Sequence, residues 1–383
     1  MKKTPGAWVI IAGGGTAGHV IPGLAVAAEF ESRGVPASLI HYVGSERGIE
    51  TRLVPTAGFP LTVLPGRGIQ RRLTFVNIAS VVGLLRAVVE AVVLVRRMRP
   101  AVVVGLGGYA SVPCVIAAIL WRVPIVVAEQ NAVPGAANRL AGRFAKACAV
   151  SFPDTDLPRA VLTGNPVRPE VLAVDRIDGR SWARETMEIG PEQTLLAVFG
   201  GSLGARRINE SLFEALPGWR HRSDLAVRHV AGRRDHADLA ARVPVSADDS
   251  LRFELVEYED DMPMVYAAAD LVLCRSGASS VAELAVVGIP AVLVPLPGAP
   301  GDHQTANAMA LVDAGAAVHV VDAELDGDRL TQEIDRLLSD PGTLQEMGAA
   351  AHTVARRDAA GAVVDLVERH ARRPIPTGAP DDA

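Results

Sequence analysis

Apolar residues in this chain fall into short unbroken runs instead of alternating with polar ones. Ala7–Ala12, Ser38–Val43, Leu61–Leu64, Ala101–Gly105, Pro124–Ala128 and Ala147–Ser151 read as strands buried on both faces. Helical stretches lie between them, at about His19–Ser32, Thr74–Met98, Val112–Trp121 and Asn138–Lys146. Arg99-Pro100 ends the longest of these. The alternation pauses at Thr163–Pro169, where turn residues and two prolines suggest a hinge. A second series of strands then follows at Thr194–Phe199, Ala226–Val230, Leu251–Val256, Leu271–Cys274, Ala291–Val294 and Ala317–Val320, with helices at Thr331–Leu338 and Pro341–Arg357. Strand and helix in alternation predict an α/β fold, a parallel sheet wound on both faces.

Both halves open alike, with an apolar strand, a glycine turn and a helix. The pattern therefore predicts two Rossmann-like domains facing a central cleft, with ligands at the carboxyl ends of the strands. The expected boundaries are 1–166 and 167–355, with a C-terminal helix at about 356–371 packing back on the first domain and a disordered tail at 372–383.

The chain has 383 residues, of which 49% are hydrophobic and only 4% aromatic. The apolar material is mainly Ala, Val, Leu and Ile, which suits doubly covered parallel strands. A net charge of −5 makes the chain a poor electrostatic match for nucleic acid. Cys114, Cys148 and Cys274 are odd in number and set in apolar runs, so they read as reduced core thiols of a reducing compartment. Gly13-Gly14-Gly15 interrupts the only run that resembles a signal peptide, and no stretch reaches the ~20 apolar residues of a membrane span. A soluble or peripheral cytoplasmic protein is expected.

Gly13, Gly15 and Gly18 satisfy G-x-G-x-x-G at a strand-to-helix turn. Such a turn serves an anion, or it only packs helix on strand. A dinucleotide site also needs an acid at the end of the second strand. The nearest one there is Glu46, which weakens a nicotinamide reading. His19 follows the turn and is a candidate base, held neutral by the helix N-terminus, or merely a cap. In the second half, Gly200-Gly201-Ser202, the Arg275–Ser280 turn with Glu283 one helical turn further on, and the Pro295–Gln304 loop share one edge. Together they describe a pocket for a nucleotide diphosphate, which Arg168 could reach from the hinge. Asp154-Thr155-Asp156 and Asp326-Gly327-Asp328 have the spacing of a metal-binding pair but read as solvated acidic turns.

Six motifs occur in order: Gly13-Gly14-Gly15-Thr16-Ala17-Gly18-His19, Gly107-Gly108-Tyr109, Glu129-Gln130-Asn131, Gly164-Asn165-Pro166-Val167-Arg168, Gly200-Gly201-Ser202-Leu203-Gly204-Ala205 and Arg275-Ser276-Gly277-Ala278. With them the chain resembles the MurG family of peptidoglycan N-acetylglucosaminyltransferases over nearly its whole length. The resemblance implies a GT-B type fold and an inverting reaction that needs no metal or other cofactor. UDP-GlcNAc would be the donor and undecaprenyl-pyrophosphoryl-MurNAc-pentapeptide the acceptor. It implies donor contacts at Thr16, Ala17, Gly18, Asn131, Arg168, Ser202, Glu259, Ala278, Ser279, Ser280, Val281, Ala282, Glu283 and Gln304. Glu259 would act through its backbone. Tyr109 and Glu129 would lie on the acceptor side, and the general base would be His19 or Glu129. Ala17, the Ser279-Ser280 pair and Leu203 depart from the residues common in the family.

Such an acceptor implies peripheral work at the cytoplasmic face of the cell membrane, with other cell-wall synthesis proteins as further partners. Arg67, Arg71 and Arg72 beside Ile69, Leu73 and Phe75, then Leu84, Leu85, Arg86, Arg96, Arg97, Arg99, Trp121 and Arg122, suggest an apolar patch rimmed by arginines that meets an anionic membrane surface. They also suit an ordinary core helix with solvated arginines. A related transferase with another acceptor, a nicotinamide oxidoreductase and a non-catalytic nucleotide-binding scaffold are the rival readings.

Overall fold

The computed structural model describes residues 6–46, 48–65, 75–201, 204–246 and 248–376, and for 75–81 and Pro341 the backbone only. The chain divides into two compact units, Met1–Arg168 with Arg356–Ala383, and Pro169–Ala355. The division falls two residues beyond the expected boundary.

The first unit runs β1 (Val9–Gly13), α1 (Ala17–Ser32), β2 (Ile40–Ser45), α2 (Glu50–Thr56), β3 (Leu61–Leu64), α3 (Phe75–Met98), β4 (Val102–Gly107), α4 (Ser111–Leu120), β5 (Ile125–Glu129), α5 (Ala136–Gly142), β6 (Ala147–Val150) and β7 (Ala160–Leu162). Its sheet is parallel throughout, in the order β3-β2-β1-β4-β5-β6-β7. Alternate residues of each strand face opposite sides. Val9 and Ile11 point into a core that holds Phe30 of α1. Ile10 and Ala12 point into another, with Ala87 and Ala91 of α3 and Val115 of α4. Two covered faces explain why the strands are apolar without alternation.

The second unit runs α6 (Pro169–Leu172), α7 (Gly179–Thr186), β8 (Thr194–Phe199), α8 (Arg206–Trp219), β9 (Leu225–Val230), α9 (His236–Ala240), β10 (Arg252–Val256), α10 (Met262–Ala268), β11 (Leu271–Cys274), α11 (Ala278–Val287), β12 (Ala291–Leu293), α12 (His303–Asp313), β13 (Ala317–His319), α13 (Gly327–Leu338) and α14 (Pro341–Val354). Its parallel sheet has the order β10-β9-β8-β11-β12-β13. Its core gathers Leu196, Val198, Ile208, Leu212, Trp219 and Ile334.

A last helix, α15 (Ala359–His370), belongs to the first unit, where Val363, Val364 and Val367 enter the core that holds Phe30. Arg33 ties it to α1 through Asp365 at 2.5 Å and Glu368 at 3.3 Å. The segment after it was expected as part of a disordered tail, yet 372–376 is pinned. The Arg372 amide donates to the Ala101 carbonyl at 3.1 Å, and the Trp8 indole N–H donates to the Pro374 carbonyl at 2.9 Å. Ile375 packs on the core. Residues 377–383 lie outside the described residues.

Three further local expectations fail for physical reasons. Ala37–Leu39 is a 3-10 turn, so the second strand begins at Ile40. The edge strand β7 is only three residues long and the helix α7 is polar, so the apolar pattern marks neither. Asp326-Gly327-Asp328 is a helix start and not a loop, since Asp326 caps α13 by accepting the Arg329 amide at 2.8 Å.

Candidate functional site

In both sheets the strand order reverses beside the first strand of the unit, between β1 and β4 and between β8 and β11. Loops diverge at such a point and leave a crevice at the carboxyl ends of the strands. The glycine turns of both units sit there.

In the first unit, the turn after β1 carries Thr16 as N-cap of α1, with Ala17, Gly18 and His19 in its first turn. His19 lies two residues inside the helix, which begins earlier than the sequence suggests. Its Nδ1 is 3.1 Å from Thr16 Oγ1. Its Nε2 stands 3.3 Å from the place where a Cβ on Gly107 would lie, and Asn138 Nδ2 stands 3.1 Å from the same point. Gly107 has φ +90°, so a side chain there would be both strained and in the way of the imidazole. Tyr109 follows, its hydroxyl donating to the Pro65 carbonyl at 3.2 Å. Burial, with Glu46 adding to it, pushes that hydroxyl above its ordinary pKa.

Glu129 ends β5 and is 3% exposed. Its Oε1 accepts the Asn131 amide at 3.0 Å and Asn131 Nδ2 at 3.2 Å. Its Oε2 accepts the Gly135 amide at 3.0 Å and Asn138 Nδ2 at 2.9 Å. A carboxylate has about four acceptor positions, and all four are in use. Glu129 thus organises the β5–α5 loop, and a proton arriving there would displace a donor. Arg168 is the last residue of the first unit and is half-buried.

The glycine turn itself closes on an acid that lies five residues beyond Ser45, the end of the second strand. Glu50, the first residue of α2, is fully buried. Its Oε2 accepts the Gly15 amide at 2.9 Å, and its Oε1 accepts both the Ser45 amide at 2.7 Å and the Ser45 hydroxyl at 2.8 Å. A Cβ on Gly14 or Gly48 would fall 2.0 or 1.9 Å from a carboxylate oxygen and one on Gly44 2.3 Å from Cγ of the same side chain, so the three glycines make its chamber. The amide that a dinucleotide's phosphate would need is therefore taken by the protein, which removes the main support for the nicotinamide reading.

In the second unit, Ser202 and Leu203 lie outside the described residues. The flanks of their turn are tightly packed. A Cβ on Gly204 would fall 2.1 Å from the Ala231 carbonyl. Asn209 braces the start of α8, its Nδ2 donating to that carbonyl at 3.0 Å and to Asp235 at 3.1 Å. His229 Nε2 lies 2.9 Å from Asn209 Oδ1, and burial pushes the ring down to about 3, so it stays neutral and donates.

Ala278, Ser279, Ser280, Val281, Ala282 and Glu283 form the first two turns of α11, whose N-cap is Gly277 without a side-chain cap. Uncapped amides at such an end suit an anion. The Ser279 hydroxyl is buried without a hydrogen-bond partner. Glu283 is buried, and its Oε2 accepts the Tyr266 hydroxyl at 2.8 Å, a partner that the sequence did not suggest. Arg275 does not face a ligand. It donates to the Val294 and Pro295 carbonyls at 3.1 Å each and pairs with Asp322 at 2.6 Å, so it braces the loop after β12. The Ser276 hydroxyl donates to the Gln304 carbonyl at 2.8 Å. Gln304 Oε1 accepts the Leu296 amide at 2.9 Å, which turns the NH2 of its side chain away from that loop.

Glu259 follows β10, two strands from β8, so its side chain stands apart from the α11 turn. Its carboxylate is committed to Arg228 at 2.7 Å and to the Asp261 amide at 2.9 Å. Asp154 and Asp156 are exposed turn residues.

Two doubly wound parallel sheets, each with its polar loops at the switch point, define a glycosyltransferase with two Rossmann-like domains. The chain belongs to glycosyltransferase family 28, whose N-terminal domain matches residues 9–150 and whose C-terminal domain matches residues 195–363. A relative from Acidothermus cellulolyticus is 43% identical over 95% of this chain and 98% of its own length. One from Streptomyces coelicolor is 40% identical over 95% of this chain and 100% of its own. Both bear the name UDP-N-acetylglucosamine–N-acetylmuramyl-(pentapeptide) pyrophosphoryl-undecaprenol N-acetylglucosamine transferase. The crystal structure of Acinetobacter baumannii MurG superposes with a TM-score of 0.75 at 32% identity, covering 95% of this chain and 100% of that one.

Proposed function

We propose that the chain transfers N-acetylglucosamine from UDP-GlcNAc to the 4-hydroxyl of MurNAc in undecaprenyl-pyrophosphoryl-MurNAc-pentapeptide. The near full-length identity to transferases that bear this name carries the reading. The geometry agrees with it, because the second unit offers uncapped amides to a diphosphate while the first unit's turn is already occupied by Glu50.

In this reading the α11 N-terminus, the Gly200–Gly204 turn with Ser202, and Arg168 receive the diphosphate and stabilise the charge that grows on it as UDP leaves. Glu283 takes the ribose hydroxyls. Gln304 offers its amide NH2 to the sugar, Glu259 offers its backbone to the uracil, and Thr16, Ala17, Gly18 and Asn131 touch the donor from the first unit. Tyr109 lies on the acceptor side.

His19 is the base. Its Nδ1 is 3.1 Å from Thr16 Oγ1, and in this reading Nε2 is the nitrogen that takes the proton. The acceptor oxygen bonds to the anomeric carbon as the bond from that carbon to the diphosphate oxygen breaks. UDP departs with the electron pair, and the configuration inverts. No cation is required, since helix amides and Arg168 meet the charge. The enzyme works peripherally at the cytoplasmic membrane face. Among the described residues no helix is long and apolar enough to cross a membrane, while α3 exposes Val82, Leu85, Val89 and Val93 on one side.

Incubation with UDP-GlcNAc and a short-chain analogue of the lipid acceptor tests this directly. Release of UDP with formation of a β-linked disaccharide is expected, at the same rate in EDTA. UDP release only with a different acceptor would refute the acceptor assignment, and loss of turnover in EDTA with recovery in magnesium would refute the metal-free mechanism.

A further inference from the structure

We propose that Glu50 is a positioning residue for sugar transfer, acting as the resident anion of the first glycine turn and holding the turn so that Thr16 is presented to the donor and His19 to the acceptor. The inference rests on the transfer reaction proposed above. No motif of the resemblance contains Glu50, and its carboxyl group touches neither donor nor acceptor residues directly.

Three observations carry it. The carboxyl group is fully buried and accepts three hydrogen bonds, one from the turn and two from Ser45 at the end of β2. Among the described residues it has no salt-bridge partner, so backbone amides and one hydroxyl supply its polar surroundings, as in an anion-binding nest. Around it Gly14, Gly44 and Gly48 leave a space that any side chain would fill. A buried acid set in such a chamber is built in, not tolerated. Its leverage on the chemistry follows from sequence distance. Gly15 directly precedes Thr16, the α1 N-cap, whose hydroxyl meets His19 Nδ1. On the other side the Gly14 carbonyl lies 2.7 Å from the Cβ position of Gly108, so the turn is wedged between Glu50 and the loop that leads to Tyr109. Releasing the Gly15 amide frees the segment whose Thr16 hydroxyl meets the imidazole.

Glu50→Gln isolates this role. The two Ser45 donors hold the single amide oxygen at the Oε1 position, so the new NH2 faces the Gly15 N–H, donor against donor. The expected result is a fall in kcat of roughly 10- to 100-fold, the scale of a misplacement of about 1 Å at a reacting group. The KM for UDP-GlcNAc should stay within about threefold, since most of the proposed donor contacts, from Ser202 to Gln304, are in the other unit. Val54→Ala, in the same helix and fully buried, is the control. It should lower the melting temperature and leave kcat within about twofold. Hydrogen exchange supplies a readout that needs no activity. The Gly15 amide should exchange slowly in the wild type although the residue is exposed, and quickly in Glu50→Gln.

If the wild type exchanges that amide at the rate of an open loop, the proposal falls, whether or not the variant folds. It also falls if Glu50→Gln keeps kcat within about threefold, or if both variants lose kcat in proportion to stability. A wild type that protects the amide but fails to transfer sugar would refute the proposed reaction instead.

Discussion

Two acids and a histidine crowd the edge of the first sheet, and their hydrogen bonds sort their roles. Glu129 spends four acceptor positions on Asn131, Gly135 and Asn138, whereas His19 sets Nδ1 at Thr16 and Nε2 beside Gly107, and an imidazole is the side chain that most often serves as general base. His19→Ala should therefore lower kcat by roughly 10²–10⁴-fold, as loss of a general base does. Glu129→Gln should cost less, since one wrong-way amide disturbs a loop without removing the base. Steady-state rates of the two variants check this, and a larger loss in Glu129→Gln than in His19→Ala would exchange their roles. Only part of this was legible in the sequence. His19 and Glu129 stand in motifs, but the saturation of Glu129 depends on Asn138, nine positions on and inside a small-residue helix with no visible signal. Glu50 was missed because the chain turns at Ser45–Gly48 and returns an acid to the strand end from beyond it.

Among the elements, α3 carries two apolar faces where a surface helix needs one. Ala87, Ala91, Val95 and Met98 enter the core, while Val82, Leu85, Val89 and Val93 are exposed at helical spacing. Arg86, Arg96 and Arg97 flank the exposed face, with Glu90 among them as an opposing charge. Arg96 lies over the Trp121 ring at 4.8 Å, which fixes one basic corner. Arg67, Ile69, Arg71, Arg72 and Leu73, named with this patch in the sequence, lie outside the described residues, as does the Phe75 side chain. Exchange of Leu85 and Val89 for Asp removes apolar area worth about 1.5–3 kcal/mol for each side chain that would enter lipid. Binding to vesicles containing anionic phospholipid should fall at least about tenfold in a sedimentation assay, with the melting temperature nearly unchanged because both residues are already in water. Equal binding by wild type and variant would remove α3 from the membrane surface. Elements were readable wherever burial on both faces left unbroken apolar runs, which is why β8 and β11 fall where the runs predict. β7 was not readable, since Ala160 and Val161 are exposed at the sheet edge and the strand is only three residues long. Nor was α7, a polar helix held by ion pairs of Arg180 and Arg184 with Asp270 and not by an apolar stripe.

At the scale of the whole molecule, each unit has a buried histidine that sets how it responds to acid. Burial pushes His41 of the first unit down to about 4 and His229 of the second down to about 3, against 6.5 for the free side chain. His41 Nε2 is 2.8 Å from Thr62 Oγ1, and His229 is held by Asn209. Above pH 6.5 both rings are neutral in folded and unfolded chains alike, so they contribute no pH dependence. As pH falls through 6.5 the unfolded chain takes up the protons and the native units do not. Each unit then loses stability at about 1.4 kcal/mol per pH unit, until its own histidine titrates in the fold. His370, lowered by burial and by Arg369 and Lys146, adds to the first unit in the same direction. The lowered carboxylates Asp224, Asp235 and Asp340 act only further down, because their contribution is present above about pH 3.8 and is lost below it. Between pH 6.5 and 4.5 the histidines should therefore dominate, with a loss of about 2 kcal/mol per unit by pH 5 relative to pH 7. Urea unfolding at the two values should show that loss, and His41→Gln and His229→Gln should each flatten it for one unit while leaving the other's slope in place. A wild-type stability that is level from pH 7 to pH 5 would mean that these rings gain solvent or a counter-charge in the native protein, and the neutral His229 that braces Asn209 and the second glycine turn would go with it.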